Sequence, residues 1–195
     1  MRASIAVFCG AKAGSVPAYA HATAALGKAI AASGRTLVYG GGRVGLMGTL
    51  ADAALAVGGR VIGVIPRGMV DLELAHPGLS HLEVVATMHE RKAAMSRHAD
   101  AFVAAPGGFG TLDELFEAVT WTQLGIQRKP IGLFDVGGFY APLRQMVASL
   151  VTAGFVDPKH AAMIVSAGTA EGLLAGLDAL ELPLPRSEVA AGLSA

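Results

Sequence analysis

A short apolar run, Ala101-Phe102-Val103-Ala104-Ala105, leads straight into Pro106-Gly107-Gly108-Phe109-Gly110. A helical period follows at once, with Leu112, Leu115, Phe116 and Val119 on one face. Strand, glycine turn and helix start in that order leave little freedom in the fold. The first N–H groups of such a helix have no partner within it, and its dipole places partial positive charge there. Glycines at 107, 108 and 110 let successive N–H groups turn toward one anion. Glu114, about one turn in, then stands close to whatever carries that anion.

The same residues have a plainer reading. Thr111-x-x-Glu114 fits a capping box, in which the glutamate satisfies only a backbone N–H. The motif alone leaves both readings open.

The strand-turn-helix unit recurs along the chain. Strands are expected at 5–9, 36–39, 61–65, 82–86, 101–105, 131–134 and 163–165. Helices are expected at 17–32, from the glycine turn at 40–48 to about 57, at 88–98, from 111, at 140–153 and at 170–180. Residues 67–80 form a loop with room for a short helix, of a length that tends to carry function. The strands are short and apolar throughout, as in sheets covered on both sides. This pattern predicts an α/β fold: one doubly wound, Rossmann-like parallel sheet with helices on both faces. Residues 1–180 form a single nucleotide-binding domain in this reading, and 181–195 a loosely held tail. The glycine clusters at 10–14, 40–48 and 107–110 all follow strands, so they share one edge of the sheet, where such folds bind ligands.

Composition narrows the function classes. Zero formal net charge gives no basic surplus for nucleic acid. No apolar stretch is long enough to span a membrane, and no secretory signal is seen. The single cysteine, Cys9, rules out an internal disulfide framework and fits a reducing cytoplasm. It ends an apolar strand, which favours a buried thiol over a nucleophile.

Gly40-x-Gly42-x-x-Gly45 matches the dinucleotide fingerprint literally. It follows the second strand, however, and the acidic residue expected about twenty positions on is replaced by Ile65, Pro66 and Arg67. NAD is therefore disfavoured. There is no P-loop, no histidine pairing of a metal site and no Gly-x-Ser-x-Gly elbow. Glu90, Arg91, Lys92 and Arg97 form a charge run that could simply face solvent. Arg91 and Lys92 nevertheless stand together near a helix start, where the dipole disfavours cations. An anion would offset that placement, and both a phosphorylated ligand and Glu114 are suitable.

Gly40-Gly41-Gly42 with Gly45-Leu46-Met47-Gly48, then Met88-His89-Glu90-Arg91-Lys92-Ala93-Ala94-Met95, then 106–114, then Leu124-Gly125-Ile126-Gln127-Arg128-Lys129-Pro130 stand in the order and spacing of the LOG family. These are cytokinin riboside 5′-monophosphate phosphoribohydrolases. The resemblance runs from about residue 4 to 180. It implies hydrolysis of the N-glycosidic bond of a nucleoside 5′-monophosphate, AMP or an N6-substituted relative, with no metal or cofactor. Arg91 and Glu114 are the implied catalytic pair. Substrate contacts are expected from Glu73, Arg91, Lys92, Gly107, Gly108, Phe109, Gly110, Thr111, Leu112, Asp113, Glu114 and Thr120, and from Gly41 and Gly42 of the second loop. Met95, Phe109 and Trp121 are expected to set the pocket size. The resemblance, together with the unusually apolar composition, leads us to expect a homodimer or a larger even assembly with the site near the subunit contact.

One loop departs from that pattern. Ala11-Lys12-Ala13 stands where family members carry small serines, which removes hydroxyls and adds a cation. Members are often labelled lysine decarboxylases, but no residue pattern here suggests a pyridoxal-phosphate lysine. Two readings compete with the hydrolase: a non-catalytic nucleotide or pterin-cofactor carrier on the same fold, and an NADP-dependent oxidoreductase resting on the glycine fingerprint and Arg67.

Overall fold

Seven parallel strands make one sheet in the order β4-β3-β2-β1-β5-β6-β7 in the computed structural model, which describes residues 2–72 and 74–182. The strands are β1 (Ser4–Phe8), β2 (Thr36–Tyr39), β3 (Val61–Pro66), β4 (His81–Val85), β5 (Ala101–Ala104), β6 (Ile131–Phe134) and β7 (Ile164–Ala167). Helices α1 (Pro17–Ala32), α2 (Gly45–Leu55), α3 (Arg67–Asp71), α4 (Met88–His98), α5 (Phe109–Gln123), α6 (Ala141–Thr152), α7 (Pro158–Ala161) and α8 (Ala170–Ala179) connect and follow them. The chain steps outward from β1 to β4, then returns so that β5 lies on the other side of β1. The strand order therefore reverses between β1 and β5.

Each strand sends alternate side chains to opposite faces. Ile5 and Val7 enter a core built with Leu26 and Ile30 of α1, Leu46 and Leu50 of α2, and Leu173 of α8. Ala6 and Phe8 enter a second core with Met95 of α4 and Leu115 of α5. The doubly wound arrangement thus follows from period-2 burial on both faces of a strand that is apolar and buried from Ile5 to Phe8. Phe8 stacks on Phe102 of the neighbouring strand, ring centroids 5.7 Å apart. No helix among the described residues is long and apolar enough to cross a membrane.

Several boundaries differ from the sequence expectation. α5 starts at Phe109, with Gly108 as N-cap, rather than at Thr111. β4 lies one residue earlier than expected because Ala86 gives its N–H to the Glu90 carboxylate (3.0 Å) instead of a neighbouring strand. The α7 turn has no counterpart among the expected elements; Asp157 opens it by accepting from the Lys159 N–H at 3.0 Å. The tail expected from Glu181 lies, from residue 183 onward, outside the described residues.

Candidate active site

The two turns that follow β1 and β5 are tied to each other. Ala105 N–H donates to the Phe8 carbonyl (2.9 Å), and Gly10 N–H donates to the Pro106 carbonyl (3.0 Å). The ladder thereby continues past both strands and fixes the glycine turns side by side at the switch point. A cavity of about 660 Å³ opens over this point. Its walls come from the turn after β1, the turn after β2, the start of α4, and the turn and first helical residues after β5.

Three helices begin at the rim, α1, α2 and α5, with Val16, Val44 and Gly108 as N-caps. No side chain caps any of the three. α1 opens on Pro17, which has no N–H, and the Leu46 N–H of α2 is taken by the Gly10 carbonyl (3.0 Å), so it is the start of α5, bordering the cavity, that offers its first N–H groups to an anion. α4 differs. Thr87 Oγ1 accepts from the Glu90 N–H (3.1 Å), so its start is closed by its own side chains. Glu90 is thereby explained as a capping residue.

α4 instead delivers Arg91, which is buried. Its Nε donates to the Val64 carbonyl (3.1 Å), and its Nη1 lies 3.3 Å from Glu114 Oε1. Gly40 makes room for the guanidinium: a Cβ at that position would stand 1.9 Å from Arg91 Nη2. Glu114 is 8% exposed, and its Oε1 takes no hydrogen bond, so the contact with Arg91 is one of charge. Burial raises the Glu114 carboxyl above its ordinary value, and Arg91 opposes that shift. Thr111 sits inside the first turn of α5 and Glu114 faces Arg91, so the two do not form the capping box that their spacing allows. Cys9 borders the same cavity as a buried thiol, kept protonated by burial and by the neighbouring Glu114 charge.

Gly42, Arg91, Gly107, Gly108, Gly110, Thr111, Asp113 and Glu114 border the cavity together. Gly41 does not; its carbonyl accepts from the His76 N–H (2.9 Å). Lys92 also lies outside the lining, its Nζ 3.1 Å from Asp113 Oδ2 and 2.7 Å from Glu117 Oε2. It holds α4 to α5 just beside Glu114. Leu112 packs on the second core, Thr120 is exposed farther along α5, and Phe109 is 93% exposed. Glu73 lies outside the described residues.

The residues expected to set pocket size are placed elsewhere. Met95 is in the core, Phe109 points to solvent, and Trp121 borders a separate small void. The apolar wall is made by Met47, Met69, Leu74 and Met88. Leu74 is brought there by a short antiparallel pairing between Gly42 and Ala75, extended by Arg43 N–H to the Leu74 carbonyl (2.9 Å). His76 secures that segment: Nδ1 accepts from the Gly78 N–H (3.1 Å), which leaves Nε2 to donate to Asp52 Oδ1 (2.9 Å). No periodic signal marks these residues, because each comes from a different loop or helix start.

The fold and the position of this cavity define a single-sheet, Rossmann-like α/β protein whose site occupies the switch point. Comparison with known proteins narrows the class. Residues 47–177 match the family described as "Possible lysine decarboxylase". Cytokinin riboside 5′-monophosphate phosphoribohydrolase LOG7 of Arabidopsis thaliana is 45% identical over 177 residues, 91% of this chain and 82% of that protein. The probable phosphoribohydrolase LOGL3 of Oryza sativa subsp. japonica is 44% identical over 189 residues, 96% of this chain and 88% of that protein. Among solved structures, the Moco carrier protein from Chlamydomonas reinhardtii superposes with a TM-score of 0.70 at 21% identity, covering 98% of this chain and 99% of that one. At that identity the likeness establishes the fold alone. The chain belongs to the LOG family of cytokinin riboside 5′-monophosphate phosphoribohydrolases.

Proposed function

We propose that the protein hydrolyses the N-glycosidic bond of a nucleoside 5′-monophosphate, AMP or an N6-substituted relative, giving the free base and ribose 5-phosphate. The observation that carries this reading is the buried Arg91–Glu114 pair, 3.3 Å apart, inside a cavity bordered by the uncapped start of α5. The 5′-phosphate is held at the Gly107–Gly110 turn and the start of α5, which sets the ribose beside Glu114. As the C1′–N bond breaks, its electron pair leaves with the base and positive charge builds on the ribose. The Glu114 carboxylate stabilises that charge and accepts a proton from the water that adds to C1′; the departing ring nitrogen takes a proton from solvent, and Glu114 returns its own to solvent, so the products are neutral base and ribose 5-phosphate. A raised carboxyl pKa suits this role, since a base works best when its pKa approaches the working pH. Arg91 keeps the carboxylate ionised and oriented. The wall of Met47, Met69, Leu74 and Met88 offers an adaptable apolar surface to a substituted base.

A carrier protein on this fold has no need of an ion-paired carboxylate in its cavity, which favours the hydrolase over the carrier. Incubation with AMP and with an N6-isopentenyl analogue, followed by chromatography for free base and ribose 5-phosphate, separates the two. Stoichiometric binding without release of base would establish the carrier instead. We also infer a homodimer. α6 buries no side chain fully, and Phe116, Ile126, Met146 and Phe155 leave apolar surface exposed on α5, α6 and the turns after them. The lone buried thiol of Cys9 suits a cytoplasmic setting.

A further inference from the structure

Four charged side chains border the cavity among the described residues: Lys12, Arg91, Asp113 and Glu114. Their formal charges cancel, so the lining as a whole offers no surplus to a phosphate dianion. Three of the four are already engaged. Arg91 is committed to Glu114 and to the Val64 carbonyl, and Asp113 is held by Lys92. Lys12 alone has no hydrogen bond or ion pair with any described residue.

Its loop is nevertheless fixed. Leu46 N–H donates to the Gly10 carbonyl (3.0 Å), docking the turn after β1 onto the start of α2. Gly45 permits the contact: its φ is +58°, and a Cβ there would lie 2.3 Å from the Ala11 carbonyl oxygen and 2.6 Å from the Lys12 nitrogen. The backbone at Lys12 is thus pressed between two glycine turns, while its side chain stays exposed at the rim. A lysine placed there acts as a point charge toward an anion entering beside the α5 start.

We propose that Lys12 reads the 5′-phosphate and makes the site select nucleoside 5′-monophosphates over nucleosides. This rests on the hydrolase reading for the identity of the ligand, but its test does not depend on turnover. A charge-assisted contact of this kind accounts for roughly tenfold to a hundredfold in affinity.

The experiment is calorimetric titration of AMP and of adenosine into the wild type, Lys12→Met and Lys12→Arg, with adenine release measured on the same samples. The expected result is AMP affinity reduced by roughly tenfold to a hundredfold in Lys12→Met, adenosine affinity unchanged, and Lys12→Arg close to wild type. KM for AMP should rise in Lys12→Met while kcat stays within about twofold, since Lys12 stands apart from the Arg91–Glu114 pair. Equal AMP affinity in wild type and Lys12→Met would overturn the proposal, as would an equal loss for adenosine or no AMP binding by the wild type. Lys12-dependent AMP binding without adenine release would sink the hydrolase reading and leave the phosphate role standing. Normal turnover with AMP affinity indifferent to Lys12→Met would do the reverse.

Discussion

Gly40 faces the Arg91 guanidinium so closely that a Cβ at position 40 would stand 1.9 Å from Nη2. The guanidinium is anchored on its other side by Nε to the Val64 carbonyl (3.1 Å), so it cannot retreat without losing that bond. The glycine after β2 thereby sets the position of a side chain from α4, which in turn faces a carboxylate from α5. Three elements meet in one contact.

Gly40→Ala should therefore displace Arg91 and reduce adenine release by roughly 10²-fold, a loss that a misplacement of about 1 Å can cause. The fold should survive with a loss of about 1–3 kcal/mol from overpacking. AMP binding should change far less than kcat, because the phosphate site proposed at the Gly107–Gly110 turn is untouched. Steady-state kinetics with thermal melting checks this. A variant with wild-type kcat would show that the Arg91 position does not matter for turnover.

The second expectation concerns pH. Burial raises the Glu114 carboxyl, and Arg91 is the largest opposing influence. Since the carboxylate is the working form in the proposed reaction, activity should fall as pH drops through this raised pKa, above the ordinary glutamate value of about 4.3. Arg91→Met removes the opposing cation, so the acidic limb of kcat/KM should move to still higher pH while the rate falls. The pH profile of both proteins decides it; a limb that stays in the ordinary carboxylate range would contradict the assignment.

Much of this arrangement was legible in the sequence for local reasons. Short apolar runs define the strands, glycine turns mark the ends of β1, β2 and β5, and the alternation with helical periods defines the doubly wound sheet. Two cations near a helix start require an anion, and Arg91 and Lys92 find theirs in Glu114, Asp113 and Glu117. The α5 start was missed because Gly108 caps it without any side-chain signal. The capping-box spacing of Thr111 and Glu114 is ambiguous in sequence and is resolved by the α5 start at Phe109. The methionine wall was illegible because Met47, Met69, Leu74 and Met88 converge only through tertiary structure.

The third expectation concerns assembly. Phe116 is 39% exposed, Met146 53% and Phe155 80%, all on or beside α5 and α6. Light scattering at micromolar concentration should give twice the chain mass of 19.7 kDa. Phe116→Glu combined with Met146→Glu should shift the protein to monomer with its helix content retained. A wild-type monomer at that concentration would refute the dimer.

Glu114→Gln tests the central claim most directly. The substitution keeps the shape of the side chain and removes only its charge. Adenine release from AMP should fall by roughly 10²–10⁴-fold, the usual range for a positioned acid or base. AMP should still bind, because the Gly107–Gly110 turn and the α5 start are untouched. Steady-state adenine release, measured beside calorimetric AMP binding on the same folded variant, should show lost turnover with retained affinity. Full turnover in folded Glu114→Gln would remove the carboxylate from the mechanism and contradict the account.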